Sequence, residues 1–326
     1  MYKDAVARYV EAERQYFVLE GVAPAERYLN LDRPHLRVRV LELGAGEPVL
    51  FVHGGGGSAA QWAPLLARIH GRRLLAVDRP GCGLTSAFDN RGVDLRAHAV
   101  DFLSGVLDAL AIEAVDVVAN SMGATWSVWL TLERTDRVRS LAFLGSPALI
   151  AGSGAPLPYR LLGVPVLNRL MYAMEPPSDA HGRKTFTRIG HDPATLPDEA
   201  TTLQGRTEAL PTYRAHWLSL MENIFPGARQ AVHLTLEELR QVKQPVRFIW
   251  GERDPFGPPS AGEAACRVMP NASLMTVAAG HLPWVDEPDQ CAGVVQELLD
   301  HQASLPAVAA APRALRNPSS VAELPA

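Results

Sequence analysis

A repeated alternation of short apolar segments with helical segments most constrains how this chain can fold. The apolar segments are rich in Val, Leu and Ile and occupy residues 36–43, 48–54, 72–78, 115–121, 139–146, 246–252 and 273–279. Segments of helical periodicity follow from residue 59 onward, at 59–70, 96–112, 122–134, 259–268 and 286–302. This alternation predicts β-α-β units, an α/β class and a mainly parallel sheet. We expect the first two strands, which no helix joins, to form an antiparallel edge.

The alternation breaks between about residues 148 and 242. That stretch contains no convincing strand, and its helical segments lie at 158–175, 183–190, 198–208 and 209–224. Because structureless loops of this length are uncommon in compact domains, the stretch predicts an inserted helical lid. The first part of the lid is apolar, which favours a hydrophobic acyl or alcohol group in the substrate. Its apolar residues are Leu161, Leu162, Val164, Val166, Leu167, Leu170, Met171 and Met174.

The predicted domain boundaries follow from this break. The core comprises residues 1–147 and 243–302, and the lid comprises residues 148–242. An amphipathic helix over residues 2–19 opens the core. Residues 303–326 are rich in Ala and Pro with little to bury, so they predict a disordered tail.

The composition argues against several classes of protein. With 31 basic and 35 acidic side chains, the net charge of -4 is not that of a nucleic-acid binder. The N-terminal segment has charges at almost every turn and no apolar h-region, so no secretory signal is expected. The longest uncharged run, residues 140–159, is interrupted by glycine and proline and does not predict a membrane span. Three cysteines without a CxxC spacing, Cys82, Cys266 and Cys291, indicate reduced thiols in a cytoplasmic protein and no zinc site.

A candidate nucleophile, Ser121, lies where an apolar strand ends and a helix begins, in the sequence Ala119-Asn120-Ser121-Met122-Gly123. A serine on so sharp a turn needs small residues two positions to either side, because the strand and helix backbones crowd there. Ala119 and Gly123 meet that need. The segment therefore matches the nucleophile elbow G-x-S-x-G with its first glycine replaced by alanine.

A run of glycines follows the strand at 48–52, in the sequence His53-Gly54-Gly55-Gly56-Gly57-Ser58. Repeated glycine lets backbone N–H groups turn into a cavity without obstruction by Cβ atoms, which favours an oxyanion hole. A phosphate-binding loop is the alternative, although the Gly-Lys-Ser/Thr ending of a P-loop is missing. We expect His53 to brace this loop and Asp78 to make structural hydrogen bonds within the turn-rich loop at 78–86.

An acid and a base should follow the serine in the order Asp or Glu, then His. Asp254 comes directly after the strand VRFIW, at the strand end where parallel sheets place their sites. Glu252, nearer the strand end, is the alternative acid. Of ten histidines, His281 alone lies both after Asp254 and at the end of a predicted strand.

Five motifs, HGGGG, DRPGCGLTS, ANSMGA, WGERDP and GHLPWVDEP, stand in this order over residues 24–302. Together they resemble the α/β-hydrolase fold superfamily, specifically its lid-bearing branch. The resemblance implies a mainly parallel central sheet with flanking helices and an inserted helical lid. It also implies roles for three side chains: Ser121 as nucleophile, His281 as general base and acid, and Asp254 as orienting carboxylate.

The resemblance further implies an oxyanion hole made by the backbone N–H groups of Met122 and Gly55. Gly54 or Gly56 are alternatives to Gly55 in that role. No metal ion and no organic cofactor are expected, because the implied chemistry needs neither. The implied partner is a small-molecule ester, with no nucleic acid and no membrane, and the protein is expected to be a monomer or a homodimer.

Three functions remain open at this point. The first hypothesis is a carboxylic ester hydrolase. The second is a carbon–carbon bond hydrolase of the meta-cleavage-product type, which is similar around HGGG and NSMG but has an aromatic residue where this chain has Leu282. The third is a hydrolase-fold ligand receptor with vestigial turnover. Haloalkane and epoxide chemistry is disfavoured, because those relatives have an aspartate at the position of Ser121.

Overall fold

The structure is a computed structural model that describes residues 2–175 and 177–303. The tail predicted at 303–326 lies outside the described residues, apart from Ala303 at the end of the last helix. The strands of the described part are β1 (Ala25–Leu31), β2 (Leu36–Gly44), β3 (Glu47–Val52), β4 (Arg72–Val77), β5 (Val115–Ala119), β6 (Val138–Leu144), β7 (Val246–Gly251) and β8 (Ala272–Val277). Its α-helices are α1 (Tyr2–Glu20), α2 (Ala63–Leu66), α3 (Leu95–Ala109), α4 (Met122–Glu133), α5 (Leu157–Leu161), α6 (Pro165–Met174), α7 (Asp179–Arg188), α8 (Asp198–Glu208), α9 (Pro211–Ile224), α10 (Leu236–Gln241), α11 (Pro259–Val268), α12 (Pro283–Asp286) and α13 (Pro288–Ala303).

The strands form one sheet in the order β1-β2-β4-β3-β5-β6-β7-β8. Every neighbouring pair from β4 to β8 is parallel, so these strands all end at the same edge of the sheet. Val52 at the end of β3 pairs with Ala119 at the end of β5. The glycine run and the turn at Ser121 therefore leave the sheet side by side. The predicted α/β fold, a mainly parallel sheet with flanking helices, is confirmed.

The prediction that the first two apolar segments pair as an antiparallel edge is wrong. The edge pair is β1 with β2, and β2 then pairs antiparallel with β4. The strand β3 lies inside the sheet, between β4 and β5. The sequence AERYLNL of β1 contains no apolar run, because it is an edge strand in which only Leu29 and Leu31 are buried.

Both faces of the sheet are covered by apolar layers. Alternate residues of β3 enter the two layers, Leu50 on one face and Phe51 on the other. The layer around Leu50 includes Trp126 of α4, whereas the layer around Phe51 includes Trp62 and Trp284, whose rings stack 4.2 Å apart. Full burial of each large apolar side chain contributes about 1.5–3 kcal/mol, so these layers hold the sheet edge rigid.

In the described residues between β6 and β7, the chain forms six α-helices, α5 to α10. We call residues 145–245 the helical insertion. Its helix α8 coincides with the predicted segment 198–208, whereas the predicted segment 158–175 is divided into α5 and α6.

The side chain of His98 on α3 is buried among aromatic rings. It stacks on Phe88 with centroids 4.2 Å apart and meets Trp126 edge-on at 5.5 Å. Burial, with a smaller contribution from the charge of Arg79, lowers the pKa of His98 to about 4. The folded protein therefore keeps this ring neutral at pH values where an exposed histidine is protonated.

The free energy of unfolding should consequently fall as the pH is lowered from about 6.5 toward about 4. The folded pKa of His98 lies below that of the unfolded chain, so the unfolded state takes up the proton first and acid favours unfolding. We expect this residue to account for a loss of about 1–3 kcal/mol, measured by urea denaturation at several pH values. The His98→Phe variant should lose less over the same interval, and an unchanged pH dependence would contradict the prediction.

Candidate active site

Ser121 lies on a sharp turn between β5 and α4. Its backbone has φ 50° and ψ -117°, a conformation that is strained for a residue other than glycine. The turn brings α4 so close to β3 that a Cβ atom at Gly123 would lie 2.1 Å from the Val52 carbonyl oxygen. Glycine is therefore required there. The first N–H of the helix, that of Met122, has no partner within α4, and both Ser121 and Met122 line one cavity.

Two hydrogen bonds orient the peptide that joins Gly54 to Gly55. The Gly54 carbonyl oxygen lies 2.7 Å from His53 Nδ1 and accepts from Arg79 Nη1 at 2.9 Å. Burial, followed by the charge of Arg79, lowers the pKa of His53 well below its ordinary value, so its ring is neutral. The N–H and C=O of a trans peptide point in opposite directions, so the Gly55 N–H points away from these groups. Gly55 lines the cavity, and His53 braces the loop as expected.

Asp78 accepts hydrogen bonds from the residue that follows the glycine run and from the loop at 78–86. Its Oδ1 accepts the Ala59 N–H at 2.7 Å and its Oδ2 accepts the Leu84 N–H at 3.0 Å. Arg39 Nη1 lies 3.3 Å from Oδ2, and the same guanidinium also pairs with Glu13. The bond from Leu84 is the structural hydrogen bond expected of Asp78 within the loop at 78–86, and the bond from Ala59 is additional.

Asp254 and His281 follow β7 and β8 and meet at the edge of the sheet. His281 Nδ1 lies 2.8 Å from Asp254 Oδ2, and both side chains are buried. The carboxylate also accepts the backbone N–H groups of Ser146 at 2.8 Å and Phe256 at 2.9 Å. Burial acts to raise the pKa of Asp254, but His281 and these donors together lower it below its ordinary value. The alternative acid, Glu252, is instead exposed to solvent.

Sequence reasoning misses two residues that hold this pair in place. Besides its N–H bond to Asp254, Ser146 has its Oγ 3.4 Å from His281 Nδ1. Asn120, in the elbow itself, donates from Nδ2 to the carbonyl oxygens of Leu144 at 2.6 Å and His281 at 3.1 Å. Both residues lie just beyond the carboxyl ends of parallel strands, which is the signal that could have identified them.

The sheet edge and the helical insertion enclose a cavity of about 400 Å³. Ser121 and His281 lie on its floor, together with Gly54 to Gly57. Its walls are mostly apolar side chains from the insertion, including Leu162, Met171, Trp217, Leu220, Met221, Ile224 and Phe225. An apolar group of moderate size fits such a space.

The apolar residues of the first lid segment divide between the cavity and the outer surface. Of its apolar residues, Leu162 and Met171 line the cavity in the described structure. Val166, Leu170 and Met174 recur every four residues on the outer face of α6 and are 81%, 56% and 76% exposed. Helical periodicity identifies an apolar stripe, but it does not predict whether that stripe faces the cavity or the solvent.

One end of the cavity is polar. Glu208 of α8 lines it and is 5% exposed. Its Oε1 accepts from Thr185 Oγ1 at 2.9 Å and from Gln204 Nε2 at 2.7 Å, while Oε2 lies 2.9 Å from His181 Nε2. Gln204 also donates to the Gly56 carbonyl at 3.0 Å, so this polar group is joined to the glycine run.

A second carboxylate, Glu175, also lines the cavity and binds two cations. It pairs with Arg188, which lines the cavity too, and with Lys184 at 3.1 Å. Two other arginines of the insertion bind elsewhere: Arg160 donates to the Ala228 carbonyl, and Arg183 pairs with Asp198. Arg188 is therefore the arginine that reaches the cavity in the described structure, and it shares the Glu175 carboxylate with Lys184.

No group of three or more His, Cys, Asp or Glu side chains within residues 2–175 and 177–303 is placed to hold a metal ion. Over the same ranges, no helix combines the length and the apolar character needed to cross a bilayer. The three cysteines are free thiols.

This arrangement at the carboxyl edge of a mainly parallel sheet defines the class of the α/β hydrolases. The sequence pattern described as "Alpha/beta hydrolase family" matches residues 49–294. The chain belongs to that family.

Named relatives and solved structures agree with this assignment. The 2-hydroxy-6-oxononadienedioate/2-hydroxy-6-oxononatrienedioate hydrolase 2 of Pseudomonas putida is 31% identical over 249 residues, 73% of this chain and 82% of that protein. Carboxylesterase CesB of Bacillus subtilis has a TM-score of 0.71 and 22% identity over 91% of this chain and 98% of its own. The meta-cleavage product hydrolase CumD of Pseudomonas fluorescens has a TM-score of 0.70 and 21% identity over 87% of this chain and 99% of its own. The two structural likenesses show the fold.

The elbow geometry predicts that Gly123→Ala destabilises the protein by about 2–4 kcal/mol, because the added methyl group would overlap the Val52 carbonyl. Thermal unfolding followed by circular dichroism measures the effect. Gly154→Ala is the matched control, since a Cβ atom there meets no heavy atom within 4 Å. Equal melting temperatures for the two variants would show that α4 does not approach β3 as closely as described.

Proposed function

We propose that the protein is a serine hydrolase that cleaves uncharged carboxylic esters of hydrophobic small molecules through an acyl-enzyme on Ser121. The observation that carries the ester assignment is the charge of the cavity. Glu175 and Glu208 both line it, and the guanidinium of Arg188 is already paired. A cytoplasmic location is proposed as well, because the cysteines are free thiols.

The chemistry follows from the groups around Ser121. A neutral hydroxyl is a weak nucleophile, so His281 takes its proton as Ser121 attacks the ester carbonyl. Asp254 holds the imidazole by its Nδ1 and stabilises the imidazolium. The N–H groups of Met122 and Gly55 stabilise the oxyanion, by a few kcal/mol for each donor. His281 then protonates the leaving alcohol, and water attacks the acyl-enzyme by the same route in reverse.

The polar end of the cavity argues against an anionic substrate. Among the described residues, Thr185 and Gln204 donate to the oxygens of Glu208 and are uncharged, and His181 Nε2 lies 2.9 Å from Oε2. A substrate carboxylate would lie in the same cavity as this charge and would need a cation of its own. Like charges repel more strongly beside mostly apolar walls than in bulk water, so a neutral ester is the better fit.

Carbon–carbon bond cleavage is the second candidate, and the sequence relatives favour it over ester hydrolysis. The Pseudomonas putida relative, at 31% identity, is named as a hydrolase of a dienedioate and a trienedioate. Such substrates carry two carboxylates, which the cavity of this chain is poorly equipped to bind. The chain also has Leu282 directly after His281, where the similar family has an aromatic residue. The two candidates therefore differ in the charge that the substrate brings.

Removal of any member of the triad should abolish turnover without unfolding the protein. Ser121→Ala, His281→Ala and Asp254→Asn should each lower kcat by about 10³ to 10⁶-fold, and double variants should lose little more, because the triad acts as a unit. Glu252→Gln is the matched control and should retain activity. If Asp254→Asn stayed active while Glu252→Gln did not, the acid would be Glu252.

A fluorophosphonate probe should label Ser121 stoichiometrically in the wild-type protein and leave Ser121→Ala unlabelled. Labelling that is accompanied by no turnover of any substrate would instead favour the ligand-receptor hypothesis. Absence of labelling would exclude Ser121 as an activated nucleophile.

A direct comparison of substrates separates the two candidate reactions. A nitrophenyl butyrate should be hydrolysed with kcat/KM of about 10³ to 10⁵ M⁻¹s⁻¹, whereas a meta-cleavage dienol should be at least about 100-fold poorer. That gap equals roughly 2.7 kcal/mol of transition-state stabilisation. Both rates are measured on one purified sample, and the reverse ranking would make the ester assignment untenable.

A further inference from the structure

The backbone around His281 is held directly by the helical insertion. The His281 N–H donates to the Ile189 carbonyl oxygen at 2.9 Å, and the next N–H, that of Leu282, donates to His191 Nε2 at 3.1 Å. Ile189 and His191 lie in the connection between α7 and α8. The same segment of the insertion therefore bonds two consecutive peptide groups at the proposed base.

Hydrogen bonds hold both ring nitrogens of His191. Its Nδ1 lies 2.7 Å from Asp286 Oδ2, and its Nε2 accepts from the Leu282 N–H, so Nδ1 is the nitrogen that donates to Asp286. The same Asp286 oxygen accepts the Gly280 N–H at 2.9 Å. Burial acts to raise the pKa of Asp286, but the bonds from His191 and Gly280 are among those that lower it, and the net effect is a lowered pKa. The His191–Asp286 pair thus bonds the residues on both sides of His281.

Close packing leaves this histidine little room to move. Its side chain is fully buried, and a Cβ atom at Gly280 would lie 2.7 Å from its ring. The charged groups around it are Asp286 and Arg253, whose Nε donates to the Gly190 carbonyl at 3.2 Å and whose Nη2 lies 3.8 Å from Asp286 Oδ2. The ring of Phe186, on α7, meets it edge-on at 5.5 Å.

We propose that His191 is a positioning residue of the active site, through which the helical insertion sets the position of the His281 imidazole. The proposal rests on the proposed role of His281 as the base. His191 is not among the described residues that line the cavity. It therefore acts through the Leu282 peptide and not on the substrate. Misplacement of a catalytic group by about 1 Å can cost about 100-fold in rate, so one backbone bond beside the base has a large effect.

Substitutions that reproduce one ring nitrogen at a time test the proposal. The amide of His191→Gln can accept from Leu282 at the position of Nε2, whereas the shorter amide of His191→Asn reaches only Asp286. His191→Phe keeps the ring and removes both bonds. The exposed His70, which is outside the cavity lining, supplies the control His70→Phe.

Each variant is titrated with a fluorophosphonate, so that kcat refers to intact sites, and its melting temperature is recorded. We expect kcat for nitrophenyl butyrate to fall about 10- to 100-fold in His191→Asn and His191→Phe with KM within about threefold. In His191→Gln it should stay within about fivefold, and in His70→Phe it should not change. If His191→Phe does not fold, the comparison of Gln with Asn decides.

Two results would overturn the proposal. One is equal kcat per titrated site in the Gln and Asn variants, and the other is a loss confined to melting temperature and to the fraction of sites labelled. Failure of the proposed function gives a different pattern, because the wild-type protein itself would then fail to turn over nitrophenyl butyrate, whether or not Ser121 is labelled. Hydrogen exchange at the amides of residues 281 and 282 provides a readout without turnover. It should accelerate at Leu282 in His191→Asn, and unchanged protection there would contradict the proposal.

Discussion

The strained backbone of Ser121 is the constraint on which the rest of the site depends. A residue other than glycine held at φ 50° costs about 1–3 kcal/mol, so neighbouring groups must hold it there. The Gly123 N–H donates to the Asn120 carbonyl at 2.8 Å, which closes the turn. The Asn120 side chain then bonds the carbonyl oxygens of Leu144 and His281. One residue therefore anchors both the turn that carries Ser121 and the loop that carries His281.

The loop opposite Ser121 depends on a buried charge. Arg79 is fully buried, and burial lowers its pKa to about 10, so it remains a cation at neutral pH. The neighbouring carboxylate of Asp78 is bound to Arg39, and the guanidinium of Arg79 instead lies over the Trp126 ring at 4.1 Å and donates to Gly54. An unpaired buried charge is costly. Here it fixes the peptide whose N–H faces the cavity, and it adds positive potential beneath the proposed oxyanion donors.

The sequence predicts what depends on local pattern and misses what depends on contacts between distant residues. Strand and helix positions follow from apolar periodicity, but the edge strand β1 has no apolar run, and the pairing of β2 with β4 cannot be derived from pattern. The candidate triad follows from strand ends in a known chain order. Ser146 contacts Asp254 from 108 positions away, and His191 contacts Asp286 from 95 positions away. The sequence around Asp254 or Asp286 contains no pattern that identifies the distant residue it contacts.

In folds of this kind, chemistry and specificity are commonly assigned to separate parts, with the reacting groups on the sheet and the pocket walls on an insertion. In this chain the two parts are bonded at His281 itself. The segment at 189–191 belongs to the insertion, yet it accepts the N–H groups of His281 and Leu282. An insertion that moved as a body would carry this segment with it and would displace the imidazole. Exchange of the insertion for that of a relative therefore has to preserve these bonds, whatever pocket the new helices provide. If His191 positions His281 as proposed, substrate range and turnover are coupled through the backbone of residues 281 and 282, and not through the substrate alone.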